Sequence, residues 1–510
     1  MKLVQSSDRQ FLSAISGLVF ANPFLRDRIE FERLALGSEF TAEPSGVWNK
    51  TVALDTERPN VVALNAKAEA IADKLRARLQ AGADSSVRES GQYQNLVQYL
   101  LYYRYWDAID LLVTATESRR KTLKWWARFE ADFCHYLRLE GCEFSMELSP
   151  QHMLACFFQI RRAFHHIFDF VVGGSTPAAR LRAEIWQSVF THDMQRYQRS
   201  LFEKMADIPT MITGPSGTGK ELVARAIGLS RYIPFDPGVK RFTGDYEDSF
   251  HPVHLASMTE GLVESELFGH VKGSFTGAAM DRIGRLESCT ECGTVFLDEI
   301  GEVSTSIQVK LLRVLQSREF FRVGESEPRA FIGKVISATN RDLGAEIKSG
   351  DFREDLYFRL CADTIVTPSL REQLDDCPDD LSNFVHFISA RVAGSEAASV
   401  ADEALAWLES NCKADYPWNG NIRELEQCVR NIMVHGTYQG PKRPAKNSSA
   451  AESMLGKIES AALTADELLQ HYCNIVYSRT NNYEQSARLL NLDRRTVKSK
   501  VDAFRANGKQ

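Results

Sequence analysis

The sequence predicts a multidomain chain with a mostly helical N-terminal domain, a central parallel α/β domain, and a short helical C-terminal end. Three observations carry this reading. From Asn22 to about Ala206 apolar residues recur at helical spacing, as in Ala66–Leu79, Phe129–Leu139 and His152–Phe170. From Ile208 onward short apolar runs alternate with charged, helix-like segments, and the first run leads into a glycine-rich turn. After Gly436 the composition changes to Gly440, Pro441, Pro444, Asn447, Ser448 and Ser449, a flexible linker, and three short helical patterns follow.

Composition sets the broad class. Of the 510 residues 44% are apolar and 25% charged, which excludes a disordered chain, a fibre or a small disulfide scaffold. The net charge of -6 calls for no nucleic acid overall, although a local basic patch remains possible. Ten cysteines without dense spacing read as reduced thiols of a cytoplasmic protein. The run Phe11–Phe20 lacks a cleavage site and reads as a buried helix, and no stretch is apolar enough to span a membrane.

In the N-terminal part, Gln80–Glu89 and Gly173–Thr176 read as surface loops. Tyr93–Trp106 holds five tyrosines and a tryptophan, which either pack as core or line a pocket. Arg161, Arg162, His165 and His166 share helical spacing, with Cys134, His135, Cys142, His152 and Cys156 nearby in sequence. Haem or metal ligation is one reading; core packing with local ion pairs is the commoner one.

The central chemistry begins at Gly214, Pro215, Ser216, Gly217, Thr218, Gly219 and Lys220, between a strand and a helix opening near Glu221. This is the Walker A context: glycines let backbone amides curl around phosphates, the helix N-terminus adds positive charge, and Lys220 reaches the same phosphates. Glu221 stands where a magnesium-holding Ser or Thr is usual. The strand Val295–Asp298 ends in two carboxylates. Asp298 suits the water shell of Mg2+, and Glu299 suits the base for a water attacking the γ-phosphate of ATP.

These residues lead to a resemblance. Glu266–His270 followed by Gly273, Ser274, Phe275, Thr276, Gly277 and Ala278 resembles the signature of the sigma-54-dependent transcriptional activators, or bacterial enhancer-binding proteins, with Ser274 in place of the family's Ala. The resemblance runs from about Met211 to Glu426 and into the C-terminal end. It implies an AAA+ P-loop ATPase, with an α/β subdomain at 191–370, a helical lid at 371–436, a linker at 437–460 and a three-helix Fis-type helix-turn-helix at 461–510, after a helical regulatory domain at 1–190. It makes Gly273–Ala278 the sigma-54 contact, Asn340 a first sensor, Arg423 a second sensor touching ATP, and Arg353 and Arg359 arginine fingers reaching a neighbouring subunit's nucleotide. Ring-shaped oligomers, usually hexamers, are implied likewise.

The chain also departs from that family. Where the family has an Asn restraining the catalytic glutamate, this sequence has His254, expected here to hydrogen-bond Glu299. Between the Walker A helix and His254 lie extra residues including Phe235, Phe242, Tyr246 and Phe250, which reach either a neighbouring subunit, the N-terminal domain or only solvent. Cys289 and Cys292 form a lone CxxC, readable as turn chemistry, a redox pair or half a metal site; no structural metal is expected.

At the C-terminal end Thr464 and Glu467 form a capping box, and Tyr483–Leu490, a turn at Asn491–Asp493 and Arg494–Phe504 fit a helix-turn-helix. Residues 491–510 carry six Lys or Arg against two Asp. Arg494, Arg495, Thr496, Lys498 and Lys500 are the candidate DNA contacts, and Ala487, Leu490, Leu492, Val497 and Val501 the candidate buried face. The resulting expectation is an ATP-hydrolysing activator that binds double-stranded upstream promoter DNA through dimeric ends and remodels the sigma-54 RNA polymerase holoenzyme. The alternative is a DNA-binding repressor or scaffold whose ATPase controls assembly.

Overall fold

The computed structural model describes residues 2–42, 58–114, 122–140, 142, 144, 148–413, 416–438 and 464–507. Contacts divide the chain into two compact units, Met1–Tyr438 and Gln439–Gln510. Most of the expected linker at 437–460 lies outside the described residues.

The first unit opens with helices Ser6–Phe20, Asp27–Leu36, Pro59–Gln80, Val87–Arg104, Trp106–Thr114, Trp126–Leu137, Pro150–Phe170, Thr176–Phe190 and Met194–Arg199. Local chemistry sets several starts. Ser86 and Glu89 cap one another reciprocally, and Ser149 and Ser175 each accept an amide of the first turn before a proline. Gly17 lets two helices close up, because a Cβ there would sit 2.4 Å from the Phe31 ring. Gly173–Thr176 is not the surface loop expected. Asp380 accepts the Ser175 amide (3.0 Å) and Ser175 is wholly buried. A buried backbone turn needs a partner for each amide, and a distant carboxylate supplies it here.

A five-stranded parallel sheet follows, ordered Phe250–His254, Thr294–Asp298, Lys334–Thr339, Thr210–Thr213, Asp363–Val366. The central strands read as continuous apolar runs because helices cover both faces. Parallel pairing puts every strand's carboxyl end at one edge, where the loops carrying Gly214, Glu299, Asn340 and Thr367 emerge. A helical group, Leu370–Asp376, Asp380–Val392, Ala397–Asn411 and Asn421–His435, has its own core around Phe384, Leu408 and Leu425.

Contacts run without a break across the expected boundary at residue 190. Ser188 Oγ donates to Asp363 Oδ2 (2.6 Å) on the edge strand. From Pro150–Phe170, Gln159 Nε2 donates to Ser230 O (2.9 Å), while Arg162 donates to Leu229 O (2.9 Å) and to Arg231 O. Leu229 caps the helix Lys220–Gly228, and Ser230 and Arg231 follow it directly. The extra residues before His254 turn inward to the N-terminal helices: Phe242 lies 4.1 Å from Phe158, Phe235 4.6 Å from Trp126, and Tyr246 OH donates to Val113 O (3.0 Å).

The second unit holds helices Ala465–Thr480, Tyr483–Leu490 and Arg494–Asn507 around Cys473, Ala487, Val497 and Val501, with Leu490 and Leu492 packed against them.

Candidate nucleotide site and partner loop

The strand Thr210–Thr213 leads through the glycine loop into the helix Lys220–Gly228. Gly214, Gly217 and Gly219 have φ of 143°, 80° and 90°, conformations that side chains resist. Gly217 is needed for a second reason: a Cβ there would lie 2.2 Å from Gly420 O of the helical group. Lys220 Nζ donates to Gly214 O (3.0 Å) and Pro215 O (3.2 Å), folding back over the loop. Burial lowers its pKa, with Glu299 and Asp298 opposing that shift. Thr218 bonds to Pro215 O (2.9 Å) and Thr367 (2.6 Å). Glu221 pairs with Arg225 at 3.1 Å, so its carboxylate is taken up along its own helix.

Asp298 closes its strand, and Glu299 follows with φ 56°. Glu299 Oε2 accepts the Asn340 amide at 3.4 Å, which ties together the ends of two strands. His254 is corrected here. Its Nδ1 lies 3.1 Å from Asp298 Oδ2, not on Glu299. The register explains this: His254 sits opposite Asp298 in the parallel ladder, so the two share a face, whereas the left-handed turn carries Glu299 away. The carboxylates fit a hydrated magnesium ion, since Asp298 keeps an oxygen that His254 does not engage.

The helical group closes over the loop. Arg423 Nη1 donates to Ser216 Oγ (3.2 Å), Asn421 Nδ2 donates to Ser216 O (2.9 Å), and Asn421 Oδ1 accepts the Leu370 amide (2.8 Å). Sequence reading missed Asn421, Thr367 and Gln308. Gln308 accepts the Arg353 amide (2.8 Å) and donates to Val303 O and Asp351 O, so it fixes the segment carrying Arg353. Asn421 takes a φ of 52°, a left-handed conformation that the sequence does not reveal. Arg353 and Arg359 are exposed, and Arg353 pairs with Asp355 (2.7 Å).

The loop Gly273–Ala278 is closed by Gly273 N to Ala278 O (2.9 Å) and Ala278 N to Phe275 O (3.0 Å). Phe275 is 45% exposed and meets His270 edge-on at 4.9 Å, while Thr276 is exposed. Ser274 packs inward toward Gly324, where a Cβ would lie 2.6 Å from its own. Cys289 is buried and Cys292 half-buried. Burial pushes the Cys289 thiol up to about 12 and raises that of Cys292, disfavouring the thiolate that zinc or redox chemistry needs. Among the described residues no cluster of metal-ligating side chains is gathered. His152 is engaged by Tyr232 OH (2.7 Å) and Gln198 O (2.7 Å).

In the second unit Arg494, Arg495 and Lys498 are exposed on the last helix, Thr496 is half-buried, and Lys500 pairs back with Asp466.

Sheet order, glycine loop, paired carboxylates and a helical group over the loop define the AAA+ class of ATPase. Comparison with known proteins narrows this: residues 188–366 match the Sigma-54 interaction domain. The chain is 42% identical over 242 residues to the DNA-binding transcriptional regulator NtrC of Rhizobium meliloti, covering 47% of this chain and 46% of that protein. It is 43% identical over 228 residues to the Nif-specific regulatory protein of Enterobacter agglomerans (45% and 40%), and 40% identical over 285 residues to the nitrogen fixation protein VnfA of Azotobacter vinelandii (53% and 51%). The chain thus spans about half the length, or less, of these curated relatives. The resemblance to sigma-54-dependent activators is borne out for the central segment. No helix among the described residues is long and apolar enough to cross a membrane.

Proposed function

We propose that the protein is a cytoplasmic, ATP-dependent transcriptional activator that binds double-stranded upstream DNA and remodels sigma-54 RNA polymerase closed complexes into open ones. The observation that carries this reading is an exposed Phe275–Thr276 tip within a sigma-54 interaction domain that also holds a complete glycine loop. In this reading the loop amides and Lys220 bind the phosphates of ATP, Glu299 takes the proton of the attacking water, and Asn340 and Arg423 sense the nucleotide. Asp298 would hold the water shell of a magnesium ion, whose chemistry is to neutralise phosphate charge. The exposed Arg353 and Arg359 serve a neighbouring subunit's nucleotide, so turnover needs a ring, a hexamer by resemblance. Arg494, Arg495, Thr496, Lys498 and Lys500 make the DNA contacts of a Fis-type helix-turn-helix, the N-terminal helices regulate, and 437–460 links the DNA-binding end.

The test is ATP-dependent open-complex formation by sigma-54 polymerase with the full chain. Glu299→Gln is expected to bind ATP yet lose at least about a hundredfold in hydrolysis; retained turnover removes it from the base role. Thr276→Ala is expected to keep ATPase activity and lose open complexes, and unimpaired activation counts against the partner-loop assignment.

A further inference from the structure

The N-terminal helices form a half-open pocket of about 100 Å3 that the nucleotide chemistry does not use. Rings, with Tyr102, Phe157, Phe164 and Trp186 among them, share its walls with aliphatic side chains such as Leu18 and Ile160. Tyr102 meets Phe157 edge-on at 5.4 Å and Phe164 meets Trp186 at 5.0 Å, so the rings brace one another and the walls are preformed.

Arg28, Glu32 and Gln98 are among its polar lining. Arg28 donates to Glu32 Oε1 in a pair that is almost wholly buried. Glu32 Oε2, Gln98 Nε2 and the Tyr102 hydroxyl oxygen are also buried, and each lacks a hydrogen-bond partner among the described residues. Glu32 and Gln98 are only 3% and 2% exposed. An acceptor, a donor and a hydroxyl that line one pocket are therefore left unpaired, each at a cost while no ligand meets it.

We propose that this cavity is a binding site for a small neutral molecule with one aromatic ring and a group that both donates and accepts hydrogen bonds, such as a primary carboxamide or a hydroxyl. The ring is selected by the aromatic walls. The donor of the ligand meets Glu32 Oε2, and its acceptor meets Gln98 Nε2. Neutrality follows from the lining: Glu32 is paired with Arg28, and Arg58 lies near enough to act on both, so a cation would meet two guanidiniums and an anion the Glu32 carboxylate. The site has a route to the nucleotide loop. Phe157 and Phe164 lie on the helix whose Arg162 and Gln159 hold carbonyls at and just beyond the end of the helix Lys220–Gly228.

The experiment uses the purified full chain, calorimetric titration and thermal unfolding. Benzamide and benzyl alcohol are the neutral probes, benzoate and benzylammonium the charged ones, and acetamide the ringless one. The expected result is one saturable benzamide site per chain, with charged and ringless probes weaker by at least about tenfold. Gln98→Met and Tyr102→Phe should each weaken benzamide about tenfold. Both variants should unfold at or above the wild-type temperature without ligand, because each deletes an unpaired buried polar atom. Absence of saturable binding by either neutral probe overturns the site, as does unchanged benzamide affinity in both folded variants. Benzoate binding more tightly than benzamide overturns the neutral class.

Discussion

Lys334 opens the strand Lys334–Thr339 wholly inside the protein, donating to Ile208 O at 2.6 Å and Met205 O at 3.4 Å. Burial lowers its pKa to about 7; Asp363 opposes the shift, and Arg231 and Arg318 add to it. An unfolded lysine keeps its proton to about 10.5. Between these values the unfolded state binds more protons, so stability rises with pH; below about 7 the cost of the buried charge is fully present. The urea midpoint of the wild type should therefore gain on that of Lys334→Met from about pH 7 to about pH 9.5. Parallel pH profiles would refute the buried charge. At this scale the sequence shows which residues can do phosphate chemistry, since a glycine loop and a strand ending in Asp298 and Glu299 are local patterns. It does not show whom His254 meets. That depends on register between strands far apart in the chain, and the register sets it against Asp298.

The helix Lys220–Gly228 illustrates the next scale. Its start is written locally in the glycine loop, but its end is held by Arg162 and Gln159 from a distant helix. A cation at a helix C-terminus meets the negative end of the dipole as well as the unpaired carbonyls. Arg162→Met should cost about 2–4 kcal/mol, because it leaves buried acceptors without donors. Urea unfolding measures this, and a loss under about 0.5 kcal/mol would show that the carbonyls find other partners. In sequence Arg161, Arg162, His165 and His166 stood out only as a charged helical cluster. Nothing local separates Arg162, fully buried, from Arg161, which pairs with Asp110. The helical spans themselves were legible, because period and capping residues are local. The observed Pro150–Phe170 extends the span expected there by a turn or less, and Ala465–Thr480 opens at the expected Thr464–Glu467 box.

For the molecule as a whole, the residues added before His254 join the N-terminal helices to the sheet through Phe235, Phe242 and Tyr246. A chain beginning at residue 191 would uncover these rings and lose the helix Thr176–Phe190, whose Ser188 bonds to Asp363 on the edge strand. Such a chain should aggregate and unfold at least roughly 5 °C lower than the intact protein, as read by size-exclusion chromatography and thermal unfolding. Equal solubility and midpoint would mean that the two parts are independent. The sequence by itself determined the P-loop class, the parallel α/β order and the three closing helices. Each is written within a few turns or strands, where periodicity, glycine geometry and capping act. Only the tertiary structure decided that His254 faces Asp298, that Asn421 and Thr367 brace the glycine loop, and that the inserted residues bind the N-terminal helices. Those contacts join segments distant along the chain, and burial and strand register choose among partners that composition leaves equivalent.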